Sequence, residues 1–169
     1  GKKIGTTYYD NLHSQIEHIC EDLKDSLEEF NPDKVVFEAL SFASIGNATR
    51  DLACLYGAMR ETVLKSDWTG EVYETPPTSL KSYTRDFLPE ELKFDGLLKT
   101  GKPKKVKMDK KLMVAAVKEI YGQDFLKGYN YSSGLDDLAD ATLLAHKLNS
   151  ECATHDNNTV ITAKPLKEV

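Results

Sequence analysis

The chain has 169 residues, and 22 Lys and Arg against 27 Asp and Glu give it a formal net charge of -5. This length suits one domain, and a content of 40% hydrophobic and 29% charged residues excludes collagen-like, low-complexity and wholly disordered chains. No apolar run approaches the ~20 residues of a membrane span, and the polar start is unlike a secretory signal peptide. We therefore expect a cytoplasmic protein with no membrane partner and with reduced cysteines.

Charge is distributed unevenly along the sequence. Residues 10–38 carry nine acids and two lysines, whereas residues 99–111 carry seven lysines and one acid. Net acidity alone disfavours a nucleic-acid partner, because phosphate binding needs local positive charge. The basic segment supplies such charge on an acidic background, although a solvated surface loop is the alternative interpretation.

The hydrophobic pattern predicts one α/β domain with the order helix, strand, helix, strand, helix, helix. The predicted elements are a helix with apolar residues from Leu12 to Phe30, a strand at 35–40, a helix at 47–65, a strand at 72–74, a helix capped by Asp109 and closed by Gly122, and a helix from about Gly134.

Two segments show weak periodicity. Several glycines and prolines interrupt the stretch from Lys81 to Met108, which predicts a partly mobile basic loop at about 82–108. The pattern also fades from Glu151 onward, so we predict a domain over 1–150 and a tail over 151–169. In the last helix we expect a set of small and apolar residues to be buried, namely Leu135, Leu138, Ala141, Ala145 and Leu148.

Carboxylates occur at two places where a purely structural role explains them poorly. Glu38 lies among apolar residues of a predicted strand, where a charge is costly unless it is paired or metal-bound; a strand with one solvated face is the alternative. In the last helix, the dipole favours Asp136 and Asp137 in the first turn but does not account for Asp140. Oxygen ligands without a matching His or Cys set suit Mg²⁺ or Mn²⁺, and two such ions support in-line phosphoryl displacement.

Five segments follow one another in an order and spacing typical of one protein family. They are Phe30–Glu38, Phe42–Arg60, Pro76–Lys81, Lys107–Lys110 and Asp137–Ala141. Together they resemble the RuvC family of Holliday-junction resolvases, especially its phage-type members, within the ribonuclease H-like superfamily. The resemblance implies a ribonuclease H-like mixed β-sheet flanked by α-helices. The family's opening strands, with its first metal-binding Asp, have no counterpart in this sequence, so we expect them to lie upstream in the complete protein.

The resemblance implies a metal-dependent endonuclease that resolves four-way DNA junctions by phosphodiester hydrolysis in a bacterial or phage-infected cell. It implies two symmetric nicks by a homodimer that associates through the helix at 47–65. Glu38, Asp137 and Asp140 take the catalytic metal-ligand positions, with Asp136 as a further metal ligand, and Lys110 lies near the scissile phosphate. The implied cofactor is Mg²⁺, with Mn²⁺ as a substitute and two ions per site. The DNA-binding candidates are Phe42, Lys81, Lys104, Lys105, Lys107 and Lys110.

Two other functions stay open on the sequence alone. One is a related ribonuclease H-like nuclease that acts on forks, flaps or RNA–DNA hybrids. The other is a non-catalytic DNA-binding derivative of the fold. We interpret His146, Tyr83 and Phe87 as packing or surface residues with no assigned role.

Overall fold

The computed structural model describes residues 2–4, 7–9, 11–40, 46–153 and 164–165, with side chains at 11–40 and 46–151. Within this part of the chain the strands are β1 (Lys2–Ile4), β2 (Thr7–Tyr9), β3 (Lys34–Glu38), β4 (Glu71–Thr75), β5 (Phe94–Leu97), β6 (Pro103–Lys105) and β7 (Lys164–Pro165). The helices are α1 (Leu12–Phe30), α2 (Asn47–Lys65), α3 (Pro77–Arg85), α4 (Glu90–Lys93), α5 (Lys110–Tyr121) and α6 (Leu135–Ala153). Among the described helices, none is long and apolar enough to cross a membrane.

The strands form three small sheets. Strands β1 and β2 pair antiparallel, β3, β4 and β7 lie in that order in a second sheet, and β5 pairs antiparallel with β6. The predicted mixed α/β class is confirmed.

The single domain predicted over 1–150 comprises two compact units. The N-terminal unit contains α1 and α2, which pack against each other, and Leu27 and Val63 are their buried residues. In the same unit, the Trp68 indole N–H donates to the Pro32 carbonyl at 2.6 Å. This contact gives a buried polar group its partner and fixes the turn before β3.

The C-terminal unit contains residues 36–38 and the chain from Glu74 through α6. Helices α3, α5 and α6 pack together in this unit. Its core consists of Leu80, Leu88, Met108, Met113, Val114, Ala116, Val117, Leu126, Ala139, Leu143 and Leu144. Full burial of one such Leu, Val or Met side chain contributes about 1.5–3 kcal/mol. This core therefore holds the first turns of α5 and α6 in place.

The predicted basic loop at 82–108 contains regular structure. It includes the end of α3, the whole of α4 and the hairpin β5–β6. These strands have only three or four residues, which is too short to produce a recognisable period in the sequence. The predicted tail also begins late, because α6 continues to Ala153.

The predicted buried face of α6 is wrong in part. Leu148 is buried as expected, but Leu138, Ala141 and Ala145 are exposed, and Ala139 and Leu143 are fully buried in their place. Alanine and leucine occur all round this helix, so apolar spacing alone does not define the face that packs against α3 and α5.

Candidate active site

Lys110 owes its position to the cap of α5. The Asp109 side chain accepts a hydrogen bond from the Leu112 backbone N–H at 2.9 Å, and the helix ends at Gly122, whose φ is 94°. A capping side chain satisfies one of the unpaired N–H groups of the first turn, so the predicted N-cap is confirmed. Lys110 is therefore held as the first residue of the helix.

The start of α6 is shaped by a separate capping motif. The Asn130 side chain accepts hydrogen bonds from the backbone N–H groups of Ser132 and Ser133, at 2.9 and 3.1 Å. Gly134 then adopts a φ of 83°, a conformation that favours glycine. Helix α6 begins at the next residue and carries Asp136 and Asp137 in its first turn, where the positive end of the helix dipole stabilises carboxylates.

An ion pair joins the first turns of these two helices. The Lys110 ammonium donates to Oδ2 of Asp136, whose residue is buried, while the lysine side chain stays largely exposed. This hydrogen bond raises the pKa of Lys110 and lowers the pKa of Asp136. Both groups therefore stay charged at neutral pH, and the paired Asp136 oxygen is occupied by a protein partner.

The charge of Asp140 acts on Glu38. Glu38 is the last residue of β3 and follows the buried Phe37. Its side chain is exposed, as the alternative of a solvated strand face predicts. Desolvation of its carboxyl group, and then the charge of Asp140, nevertheless raise the pKa of Glu38, against the opposing effect of Lys81. Desolvation, and then the charge of Asp137, raise the pKa of Asp140.

Asp140 also has an unsatisfied oxygen. Its Oδ1 atom is buried and has no hydrogen-bond partner among the described residues. A buried carboxylate oxygen without a partner destabilises a fold by about 1–3 kcal/mol or more. The acidic cluster, which we define as Glu38, Asp136, Asp137 and Asp140, thus contains more negative charge than Lys110 and Lys81 balance locally.

The donor chemistry of the acidic cluster fits a hard divalent cation. All of its candidate ligands are carboxylate oxygens, which Mg²⁺ and Mn²⁺ prefer. Within the side chains that the structure describes, no three His, Cys, Asp or Glu residues are already grouped as a metal site. Mg²⁺ does not require such a group, because it commonly binds one or two carboxylates and completes its shell with water and substrate phosphate. Glu38 and Asp140 are the pair that could hold it.

The structure brings two of the predicted DNA-binding lysines near this cluster. Lys81, exposed on α3, acts on the charges of both Glu38 and Asp140, and Lys110 contacts Asp136. Lys104 lies on β6, where it pairs with Asp95 at 3.3 Å. Two more of these lysines, Lys105 and Lys107, are exposed at the end of β6 and just beyond it. Phe42, the predicted aromatic contact, lies outside the described residues.

Three residues interpreted as packing or surface residues do pack together. The Tyr83 hydroxyl lies 2.8 Å from Nδ1 of His146, and the Phe87 ring meets the His146 ring edge to face at 5.1 Å between centroids. The sequence reasoning missed the exposed apolar residues Leu97 and Leu98, which are 70% and 48% exposed. Their signal was present in the sequence as two adjacent leucines inside a lysine-rich segment.

The fold resembles solved structures of one protein. A structure of T. thermophilus RuvC in complex with Holliday junction substrate has a TM-score of 0.58 and 16% sequence identity, over 96% of this chain and 80% of that chain. A second Thermus thermophilus RuvC structure has a TM-score of 0.58 and 18% identity, over 96% and 79%. No family model and no curated protein sequence matches the chain. The chain therefore has the ribonuclease H-like fold of RuvC, as its sequence motifs predict.

Proposed function

We propose that the chain is a metal-dependent endonuclease that resolves four-way DNA junctions with two symmetric nicks. Support comes from the RuvC fold, since one RuvC of that fold is in complex with Holliday junction substrate. It also comes from an acidic cluster at the start of α6 that faces two lysines. A protein of this kind acts in recombination and repair, in the cytoplasm of a bacterial or phage-infected cell.

The observation that carries the proposal is the excess of carboxylate charge around Asp140. Its Oδ1 atom is unsatisfied, and its carboxyl group and that of Glu38 both have raised pKa values. A structural site would neutralise such groups with protein donors. An incoming cation would relieve both the repulsion and the missing contact.

We assign Glu38, Asp137 and Asp140 to metal binding, with Mg²⁺ as the cofactor, Mn²⁺ as a substitute and two ions per site. When bound, these ions supply a stronger water nucleophile and neutralise the developing charge on the scissile phosphate. Asp136 remains a candidate ligand through the oxygen that does not contact Lys110, and its second role is to hold that lysine in place.

The lysines near the acidic cluster bind the phosphates of the DNA substrate. Lys110 projects from the first turn of α5 with most of its side chain exposed, and its raised pKa keeps it protonated. A fixed ammonium at this position stabilises negative charge on a phosphoryl oxygen in the transition state. Contacts to the phosphate backbone of the DNA come from four further lysines, namely Lys81, Lys104, Lys105 and Lys107. Phe42 stays the proposed aromatic contact to DNA.

We propose that α2 forms the homodimer contact. Leu52 and Leu64 on this helix are 56% and 60% exposed, although both are large and apolar. Covering them with a second copy would remove this surface from water. Sedimentation velocity should show a dimer that Leu64→Glu converts to a monomer, while Leu92→Glu, at another exposed leucine, leaves the dimer intact. A monomeric wild-type protein would contradict this assignment.

A substrate comparison tests the main proposal. The purified protein is incubated in Mg²⁺ or Mn²⁺ with an immobile four-way junction, a duplex of equal length, a fork, a flap and an RNA–DNA hybrid. We expect paired nicks at symmetric positions of the junction. Preferred cutting of another substrate would favour the related nuclease, and binding without any cleavage would favour the non-catalytic derivative.

Matched variants connect the cleavage to the site. Asp140→Asn and Glu38→Gln should slow junction cleavage more than about a hundredfold, since even groups that only support metal ligands contribute about 10–100-fold. Junction affinity without metal should not fall and should rise slightly, because each substitution removes a carboxylate charge that repels phosphate. Asp124→Asn, at an exposed acid paired with Lys127, is the control and should cleave normally.

A further inference from the structure

The hairpin β5–β6 has an exposed and tightly closed tip. The Leu98 N–H donates to the Lys102 carbonyl at 2.8 Å, and the Gly101 N–H donates to the Leu98 carbonyl at 2.9 Å. Gly101 takes a φ of 79°, which lets the chain reverse within this short turn. Leu98 is therefore held at the tip, where it is 48% exposed.

A β-bulge sorts the side chains of this hairpin into two faces. Phe94 pairs with Lys105 and Leu97 pairs with Pro103, so β5 contains one residue more than β6 between these pairs. Gly96, with a φ of 74°, provides the left-handed residue that such a bulge requires. Without the extra residue, strand alternation would place Phe94 and Leu97 on opposite faces.

With the bulge, the two faces have different chemistry. Phe94, Leu97 and Pro103 share one face with Lys105, the cross-strand partner of Phe94, and on this face Phe94 is 44% and Leu97 is 70% exposed. The opposite face carries the ion pair between Asp95 and Lys104, at 3.3 Å. The hairpin therefore presents an apolar stripe to solvent beside a charged face, an arrangement that favours an external partner over a solvated loop.

The surrounding charge identifies the chemistry of that partner. Residues 94–107 contain five lysines and one aspartate. In the described part of the chain, Lys104 forms an ion pair with Asp95, whereas Lys99, Lys102, Lys105 and Lys107 form none. Positive charge around an apolar stripe favours a partner that is a polyanion and also exposes unstacked aromatic rings. DNA has both properties at a branch point.

The base of the hairpin is fixed to the helices that carry the lysines of the candidate site. The Val106 N–H donates to the Lys93 carbonyl at 2.9 Å, and Nε of Arg85, at the end of α3, donates to the Val106 carbonyl at 3.1 Å. Met108 is buried in the core of the C-terminal unit. The chain thus runs from the hairpin directly to Lys110. This connection to the candidate site favours a DNA-binding role for the hairpin, because membrane binding or self-association would not require it.

We propose that β5–β6 is a DNA wedge for the junction substrate of the proposed function. Leu97 and Leu98 insert against unpaired bases at the branch point, and Phe94 extends the apolar contact. Apolar side chains that enter a base step unstack it and bend the DNA. Lys99 and Lys102 bind the phosphates on either side of the opened step.

A fluorescence experiment tests the wedge. Full-length protein carrying Asp140→Asn, in EDTA, is added to a four-way junction with 2-aminopurine at the branch point, whose fluorescence rises when the base unstacks. We expect a rise that Leu97→Ser with Leu98→Ser reduces at least about threefold, together with roughly tenfold weaker junction affinity because two apolar contacts are lost. Affinity for a plain duplex should not change. Leu92→Ser is the control at an exposed leucine of α4 and should preserve the full rise.

The outcomes separate the wedge from the nuclease proposal. A junction signal that does not depend on Leu97 and Leu98 overturns the wedge, even where the wild-type protein cuts junctions. A leucine-dependent signal supports the wedge, even where no metal ion produces cleavage. Leucine-dependent binding to phosphatidylserine vesicles, or a leucine-dependent dimer seen by sedimentation, without a junction signal also overturns it. A thermal melt confirms that each variant is folded.

Discussion

The two ends of α6 handle charge in opposite ways. At the C-terminal end, Lys147 is 2% exposed and donates to the Glu151 carboxylate one turn away. The Lys147 ammonium also lies 5.7 Å from the centre of the Tyr83 ring, and the Tyr83 hydroxyl donates to Ser150 at 2.8 Å. At the N-terminal end, Asp140 has a buried oxygen with no hydrogen-bond partner among the described residues.

The contrast lies in how the charges at each end are balanced. Buried charges contribute to a stable fold only when they are paired and hydrogen-bonded. The Lys147 end balances one buried lysine against Glu151 within its own unit, whereas the acidic cluster sets four carboxylates against Lys110 and Lys81. The excess negative charge beside the first turns of α6 therefore favours a function there.

Removing the charge balance at the C-terminal end should have the largest effect. Lys147→Met keeps most of the side-chain volume but leaves Glu151 without its lysine, and we expect a loss of about 3 kcal/mol in the free energy of unfolding. Chemical denaturation measures this loss. The double variant Lys147→Met with Glu151→Gln should recover most of it, and a single variant as stable as the wild type would contradict the contrast between the two ends.

The next effect concerns Lys110 of α5, which contacts Asp136 at the N-terminal end of α6. Lys110→Ala should slow junction cleavage roughly tenfold. This loss of rate is smaller than that expected for a donor enclosed in the protein, because the Lys110 side chain is largely exposed. Single-turnover kinetics at saturating protein measure the rate, with Lys118→Ala on α5 as the control. An unchanged rate would remove Lys110 from the catalytic group.

A smaller effect of opposite sign is expected at Asp140. Asp140→Asn removes a charge that is repelled by its neighbours, so the metal-free protein should gain about 1 kcal/mol in stability. Thermal unfolding in EDTA shows this as a higher Tm. Mg²⁺ should raise the Tm of the wild type but not of the variant, and a lower Tm for the metal-free variant would contradict the prediction.

The smallest expected effect is a pH dependence of stability. Because the pKa values of Asp140 and Glu38 are raised in the folded state, this state binds more protons than the unfolded chain above the ordinary carboxyl pKa of about 4. The contribution of these groups to stability therefore decreases as pH rises through their raised pKa values. The Tm of the metal-free wild type relative to Asp140→Asn should fall across that window, and the gain from Mg²⁺ should grow.

Much of this arrangement follows from local sequence signals. The Asp109 cap, the bounds of α2 and the start of α6 just after Gly134 are confirmed by the structure. Helix caps and long periodic segments depend on neighbouring residues, so a single sequence contains their signal. The roles of Glu38 and the aspartates of α6 stay predictions, although their mutual charge effects agree with the expected convergence.

The rest depended on contacts between distant residues. The sequence did not reveal that Lys110 would pair with Asp136, because only the packing of α5 on α6 brings the two first turns together. It also did not reveal the bulge at Gly96, since two strands of three and four residues carry no measurable period. The sequence alone left the burial of Glu38 open, and it placed this residue inside a strand at 35–40, whereas β3 ends at Glu38.

The attachment of the β5–β6 hairpin has a mechanical consequence. Its base is held at Val106 by two hydrogen bonds, and Lys110 follows only four residues later. A force on Leu98 at the tip is therefore carried along a short, anchored segment to the first turn of α5. In the proposed complex, a displacement of the hairpin tip by DNA would therefore be transmitted through Val106 to Lys110, which contacts Asp136 of the acidic cluster.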